Sequence, residues 1–137
     1  MTLHLEPFIA TVCWYDRRTV DDRMIPYGAL TVFRLPIPVL ALSSTSTYAQ
    51  ECIGMIEAIE DGWDEGYATM VVMGVADPTA LPTDEKGDTI YGVAMDLDTV
   101  TCTYSEDSDL ETFEMARLMA ITVSPNPAFP KARLEFR

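Results

Sequence analysis

Nucleophilic catalysis by a serine or a cysteine requires a base within hydrogen-bond reach, and histidine is the usual one. The chain holds a single histidine, His4, among its first few residues. Because chain termini usually fray, a Ser-His or Cys-His pair would have to recruit its base from an unfavourable place. The residues themselves therefore give little support for this chemistry.

Metal and cofactor chemistry has few candidate ligands. The cysteines Cys13, Cys52 and Cys102 form no CxxC pair, and beside one histidine they predict neither a zinc site nor a disulfide framework. Acidic pairs are frequent, but they lie in predicted turns and are typical of solvated charge. Weak Ca²⁺ binding is conceivable at Ser105–Glu111 (SEDSDLE), which lacks the glycine and the distal glutamate of a calcium loop. We expect no cofactor and no metal.

The composition predicts one acidic domain that comprises residues 1–137. Hydrophobic residues make up 48% of the chain and charged residues 23%, which suits a packed core. The 22 acidic and 9 basic residues give a net charge of -13, so neither nucleic acid nor an anionic membrane is an expected partner. The cysteines lie in apolar or strand-like runs, which predicts buried free thiols in a reducing compartment. No secretory signal and no membrane-spanning run is recognisable.

Short apolar runs separated by turns with proline and glycine predict a mainly β fold, a closed or nearly closed β-barrel with one or two short helices. Phe8–Tyr15 predicts a first strand that is largely apolar on both faces. Cys52–Val75 predicts a hairpin that turns at the sequence EDGWDEG. Thr89–Tyr104 predicts one long strand or a bent pair of strands.

Three further segments carry predictions about the elements between these strands. Leu35–Leu42 contains two prolines that cannot donate to a ladder, so it is expected as an edge strand or an extended connector. Ala76–Asp88 predicts a loop with one helical turn. Thr112–Asn126 is expected to begin as a helix and to end as a strand, and Ala132–Arg137 to close the chain with a short strand.

Four blocks, read in order, resemble one protein family, the capsid maturation proteases (prohead proteases) of tailed bacteriophages. They are TVDDRMIPYGALTVFRLPIPVLAL (residues 19–42), IGMIEAI (53–59), YGVAMDLD (91–98) and MAITVSPNPAFPKARLEF (119–136). The blocks follow the family order and are spread over the chain from residue 19 to residue 136. The resemblance implies a β-barrel with flanking helices, of the kind that herpesvirus assembly proteases share.

The same resemblance implies that the catalytic groups are lost. YGVAMDLD is similar to the family strand R-G-V-S-V-D-L, in which the serine is the nucleophile, and Ala94 stands at that position. The family histidine belongs to the loop before the block IG, and here that loop, Ser43–Cys52, holds none. The family usually has a helix before the nucleophile strand, and Ala76–Asp88 departs from that pattern.

The resemblance therefore implies a pseudo-protease, a non-catalytic structural protein of a phage head that binds the major capsid protein. A decoration or cement protein, or a minor capsid protein, would be found in the virion after assembly in the host cytoplasm, as a homo-oligomer such as a trimer. Tyr48, Trp63 and Leu81 are our candidates for its partner interface, because exposed aromatic and apolar loop residues often anchor such contacts.

Two alternatives remain open at the level of sequence. The chain could be an active maturation serine protease with a displaced catalytic set, in which Ser43, Ser46 or Ser124 pairs with His4. It could instead be an internal scaffold or assembly protein that leaves the head before DNA is packaged. Copy number in the virion and cleavage of capsid precursor distinguish these functions.

Overall fold

The computed structural model describes residues 4–42 and 50–137, except for the side chain of Thr99, and the fold is mainly β as expected. The strands are β1 (Glu6–Trp14), β2 (Arg23–Met24), β3 (Leu30–Thr31), β4 (Ile37–Leu42), β5 (Gln50–Asp64), β6 (Tyr67–Ala76), β7 (Val93–Ser105), β8 (Leu110–Val123) and β9 (Glu135–Phe136). One 3-10 turn, Pro78–Ala80, follows β6. The predicted first strand, hairpin, long strand, helical turn and closing strand are confirmed.

One sheet contains the strands of the described residues, in the order β2-β8-β4-β5-β6-β1-β9, and β3 and β7 also pair with β8. The long strand β8 organises it. β7 runs antiparallel along one edge of β8, while β2, β3 and β4 pair in parallel with successive parts of the other edge. β5, β6 and β1 continue the sheet in antiparallel order. Strands from both halves of the chain therefore interleave around a common core.

The sheet is not closed, so the closed form of the expected barrel is wrong. β1 and β7 lie close together, but in the described part of the chain no ladder joins them, and we call the gap between them the seam. Segment 124–134 crosses this gap. The Ala132 carbonyl accepts from Val93 N–H (3.0 Å), and Leu134 N–H donates to the Tyr91 carbonyl (2.9 Å). These bonds satisfy backbone groups at the start of β7 that a closing strand would otherwise pair.

The helix expected at the start of Thr112–Asn126 is wrong, because β8 is a strand throughout. Its middle alternates between buried and more exposed side chains, with Ala116, Leu118 and Ala120 buried. Glutamate, methionine, alanine, arginine and leucine favour a helix in isolation. Here β7 pairs with one edge of β8 and three strands pair with the other, and this tertiary pairing overrides the local preference.

The expectation that Leu35–Leu42 forms an edge strand or connector is also wrong. β4 lies inside the sheet, between β5 and β8. Its ladder with β8 comprises Val39 and Leu40, whereas Pro36 and Pro38 precede it. The two prolines therefore remove no donor from the ladder with β8, whereas Pro38 takes part in the ladder with β5, where it is paired with Met55.

Glycines shape the hairpin of β5 and β6. Its turn contains Glu65 and Gly66 with φ of 53° and 87°, as a tight two-residue turn requires. Further along, a Cβ atom on Gly74 would overlap the Met55 carbonyl oxygen, and one on Gly54 would overlap the Val75 carbonyl oxygen. The two strands thus approach more closely here than side chains would allow.

The buried apolar side chains form a single hydrophobic core. Val39, Ile56 and Ile121 are completely buried in it. Phe129 and Leu134, from the segment that crosses the seam, are buried against the same core. Full burial of an apolar side chain of this size stabilises the fold by about 1.5–3 kcal/mol, so segment 124–134 is an integral part of the core.

Candidate functional site

Position 94 lies at the seam. Ala94 is the second residue of β7 and is paired with Thr122 of β8, whose hydroxyl donates a hydrogen bond to Asp96. Ala94 is one of the residues that line a cavity of about 250 Å³. Apolar side chains from β1, β7 and β8 and from the neighbouring loops form most of its wall, among them Val12, Ile25, Leu97, Phe113 and Phe129. The cavity could accept a small apolar group.

The polar side of this cavity is formed by Thr19, Asp21, Arg23 and Asn126. The Thr19 hydroxyl donates to the Asp21 carboxylate and accepts from Arg23 N–H at 3.0 Å. The Arg23 guanidinium lies 3.5 Å from Asp21 and 3.4 Å from Glu111, and it stacks over the Phe113 ring at 5.5 Å. Thr19, Asp21 and Arg23 thus satisfy one another. None of the described residues that line the cavity is a serine, a cysteine or a histidine.

The residues proposed for a displaced catalytic set have different surroundings. His4 is exposed, and its backbone N–H donates to Asp77 at the end of β6. Ser124 follows β8, where its N–H donates to the Gly92 carbonyl at 2.7 Å and its hydroxyl accepts from Asn126 N–H at 3.3 Å. Ser43 and Ser46 lie outside the described residues. The hydrogen bonds of Ser124 thus join the end of β8 to Gly92 and to the turn that follows.

The three thiols differ from the expectation of uniform burial. Cys13 is completely buried, and this burial, with a smaller effect of Asp16, raises the pKa of its thiol to about 12. Cys52 and Cys102 are exposed, which corrects the prediction for these two positions. Cys52 is paired with Leu40 on the side of the sheet away from the core, and Cys102 lies near the exposed end of β7; an apolar run alone reveals neither position.

The candidate interface residues also differ in their exposure. Trp63 is 73% exposed, at the end of β5 before the hairpin turn. Leu81 is only 9% exposed and packs in the core, so it is not the exposed loop residue that we expected. It follows the 3-10 turn, which directs it inward. Tyr48 lies outside the described residues.

Trp63 borders an open groove of about 510 Å³ beside the C-terminal segment. The indole Nε1 of Trp14 donates to Asp64 there at 2.9 Å, and Lys131 Nζ lies 3.7 Å from the same carboxylate. Lys131 also forms a close ion pair with Glu65, which Arg17 contacts at 2.9 Å. Lys131 and, secondarily, Arg17 lower the pKa of the Glu65 carboxyl below its usual value. The network fastens the hairpin turn to the segment that crosses the seam.

A second surface was not among the predicted site residues, and it lies on the side of the sheet away from the core. Pro38, Met55, Val75 and Pro7 form one row across β4, β5, β6 and β1, because each is paired in register with the next. Met55 is 37% exposed, Pro7 is exposed, and the other two are partly exposed. The sequence signal was the apolar character of both faces of β1 and β4.

Neighbouring rows extend this surface. Ala58, Met73 and Ile9 are paired in register across β5, β6 and β1, and Leu40 and Leu42 continue it along β4. The outer apolar face is defined here as Pro7, Ile9, Pro38, Leu40, Leu42, Met55, Ala58, Met73 and Val75. Clustered and partly exposed apolar side chains on a sheet face are typical of a binding surface.

Other kinds of site have less support. Within residues 4–42 and 50–137, no group of three or more His, Cys, Asp or Glu side chains is placed to hold a metal ion. In that same part of the chain, no helix is long and apolar enough to cross a membrane. The cavity at the seam, the groove beside Trp63 and the outer apolar face are the surfaces that can bury apolar groups.

No protein-family model, no curated protein and no solved structure matches this chain.

Proposed function

We propose that this chain is a non-catalytic structural protein of a bacteriophage head, built on a degenerate prohead protease fold, that binds the major capsid protein. The observation that carries the proposal is the surroundings of Ala94. The residue at the position of the family nucleophile lines a cavity whose described lining holds no serine, cysteine or histidine. Loss of the nucleophile alone lowers the rate of a serine protease by about 10⁶-fold.

The proposed ancestry is supported by the way the resembling blocks meet in the fold. Residues 91–98 open β7, and residues 119–136 comprise the end of β8, the segment across the seam and β9. These two blocks lie against each other through the backbone bonds of Val93 and Tyr91. We infer that the open sheet derives from a protease barrel whose flanking helices were reduced.

A binding role is supported by the exposed apolar side chains. Trp63, Phe33 and Tyr104 are 73%, 75% and 56% exposed, far more than a core residue would be. Aromatic side chains of this kind supply much of the energy of protein interfaces. The net charge of -13 suits a soluble protein on a particle surface, where charge keeps free copies from aggregating.

In this proposal the chain occupies the virion as a decoration or minor capsid protein, is assembled in the host cytoplasm, and forms a homo-oligomer, with a trimer as the simplest arrangement at a local three-fold position. Neither nucleic acid nor a membrane is a partner. Trp63 is the candidate interface residue that retains its exposure.

The proposal is tested by counting the copies of this chain in purified heads and by incubating the pure protein with capsid precursor. Quantitative mass spectrometry should find tens to hundreds of copies per head, and the precursor should stay intact. Electron micrographs of heads with and without the chain should differ in density at fixed capsid positions. Specific cleavage of the precursor would contradict the proposal, and so would a chain that is present in proheads but absent from mature heads, because the latter identifies a scaffold.

A further inference from the structure

We propose that the outer apolar face binds an amphipathic helix of the partner, with its apolar side on Met55 and basic residues along its flanks. This inference rests on the proposed function, since it names the chemistry of the partner segment. It starts from the central row of the face. Met55 lies between Pro38 and Val75 in register, while Val39 and Ala76, one position along the same strands, are completely buried or nearly so.

The strands beneath this row define the kind of ligand. β4, β5, β6 and β1 are paired with one another across the row, so their backbone groups are occupied and an added strand has no edge to join there. A sheet face without a free edge is covered by a helix or by another sheet. Four strands about 4.8 Å apart give a face about 15–20 Å wide. One helix, about 10 Å in diameter, can lie across this width.

Charge favours a foreign helix over the sheet of a second copy. Glu57 and Glu60 are exposed on β5 beside Met55 and Ala58, and in the described part of the chain neither carboxylate is in an ion pair. A second copy packed face to face would bring the same glutamates near each other, with a net charge of -13 on each chain. Lysine or arginine on the flanks of a helix would instead pair with them.

The shape of the face is also suited to a ridged helix surface. Met55 and Met73 have flexible side chains that adapt to a partner, and Pro7 and Pro38 are rigid on either side. A helix of about 12 residues is about 18 Å long, which is enough to contact both β4 and β1. Its apolar residues at positions i, i+3, i+4 and i+7 would form the contacting stripe.

The first test uses the full-length protein and a labelled 14-residue peptide with leucines at i, i+3, i+4 and i+7 and lysines on both flanks. A matched peptide carries glutamates in place of the lysines. We expect fluorescence anisotropy to show binding of the lysine peptide and at least tenfold weaker binding of the glutamate peptide. Amide hydrogen exchange should show protection within β4, β5 and β6. Absence of binding, or protection elsewhere in the sheet, would overturn the proposal.

Variants that add the same positive charge at different positions distinguish binding at this face from general attraction to an acidic protein. Met55→Lys should weaken binding of the lysine peptide at least tenfold, and Leu42→Lys serves if the first variant melts early. Val100→Lys is the matched control, because Val100 is 40% exposed on β7, away from the face, and it should change binding less than twofold. An equal loss of peptide binding for Met55→Lys and Val100→Lys would contradict the assignment of the peptide to the outer apolar face. A dimer of the parent protein that Met55→Lys dissociates would show that a second copy occupies the face instead.

A head-binding assay distinguishes failure of this inference from failure of the proposed function. Heads that bind the parent protein but not Met55→Lys support both. Heads that bind the parent and Met55→Lys equally support the function and overturn the assigned surface. Heads that bind neither the parent nor the Val100→Lys control contradict the function itself, whatever the peptide does.

Discussion

Trp14 and Asp64 are 50 residues apart in the sequence and are joined by a hydrogen bond of 2.9 Å from the indole Nε1 to the carboxylate. Trp14 ends β1 and is only 2% exposed, and its ring packs on Phe129 with centroids 5.4 Å apart. The bond therefore connects the hairpin end of β5 to the strand at the seam. Lys131 approaches the same carboxylate from the C-terminal segment.

Replacement of Asp64 by alanine should destabilise the protein by about 1–3 kcal/mol, because it leaves the buried indole N–H of Trp14 without its acceptor. The loss of the Lys131 contact adds little, since exposed ion pairs are worth about 0–1 kcal/mol. Urea unfolding, followed by tryptophan fluorescence, measures the difference in the free energy of unfolding.

Asp64→Asn is the matched control for this prediction, because the amide oxygen can still accept from the Trp14 indole while the charge is removed. It should retain most of the stability that Asp64→Ala loses. Equal stability of the alanine variant and the parent protein would show that the hydrogen bond contributes nothing to the fold.

Gly74→Ala should destabilise the hairpin of β5 and β6 by about 3 kcal/mol or more, because its Cβ atom would overlap the Met55 carbonyl oxygen in the neighbouring strand. Backbone atoms cannot move aside as the end of a side chain can, so the ladder itself must shift. Thermal unfolding of the purified variant, monitored by circular dichroism, measures the effect.

Gly87→Ala supplies the comparison for that variant. Gly87 has φ of 87° and open space around the position of a Cβ atom, so alanine there meets only the backbone penalty of about 1–2 kcal/mol. A Gly74→Ala protein that is as stable as Gly87→Ala would show that β5 and β6 separate without cost at this point.

Much of the strand content follows from the sequence because it depends on local pattern. The apolar run of β1 and the turn residues Glu65 and Gly66 fix where the first strand and the hairpin lie. The strand state of β8 does not follow locally, because its residues favour a helix and only the pairing with β7, β2, β3 and β4 decides against it. The interior place of β4 is set in the same way, by partners that are distant in sequence.

Only those features of the candidate site that depend on residue identity could be predicted from the sequence. That position 94 holds an alanine is visible in the sequence, but the cavity beside it is made by Val12, Phe113 and Phe129, which come from three distant segments. Exposure was predictable for Trp63, which precedes a tight turn, and not for Leu81, whose burial depends on how the 3-10 turn packs.

Ala94→Ser should not create a protease. A serine hydroxyl needs a base to act as a nucleophile, and the described lining of the cavity around position 94 contains no histidine. We expect intact capsid precursor after incubation with this variant, as with the parent protein, when the products are analysed by mass spectrometry. Because Ala94 is partly exposed, the thermal unfolding midpoint of the variant should also stay close to that of the parent. Cleavage at a defined peptide bond by the variant alone would contradict the assignment of a degenerate site.

The three thiols should react at different rates with iodoacetamide in the native protein. Cys52 and Cys102 are exposed and should be alkylated within minutes, whereas Cys13 should remain unmodified. Cys13 is completely buried, and its pKa of about 12 leaves almost no thiolate at neutral pH. Peptide mapping by mass spectrometry identifies the modified positions, and unfolding in urea should expose the third thiol. Modification of Cys13 at the rate of Cys52 would show that the core around β1 opens readily.

The acid stability of the protein should depend on Asp77, which caps the 3-10 turn after β6. Hydrogen bonds from the Thr79 hydroxyl (2.6 Å) and N–H (2.9 Å), and then from His4 N–H, lower the pKa of its carboxyl below the ordinary value. A pKa that is lower in the folded state stabilises the fold above the unfolded pKa, and this stability is lost as the pH falls through the folded pKa. The urea concentration at which half of the protein is unfolded should therefore decrease as the pH falls below about 4.

Asp77→Asn tests this assignment, because its amide does not titrate. The variant should be less stable than the parent at pH 7 but should lose less stability between pH 5 and pH 2. The plots of unfolding free energy against pH for the two proteins should therefore converge at about pH 2–3. Thr79→Val should show an intermediate dependence, since it removes the first of the donors while the carboxylate remains. Parallel curves for the parent and Asp77→Asn would show that Asp77 titrates alike in the folded and unfolded states.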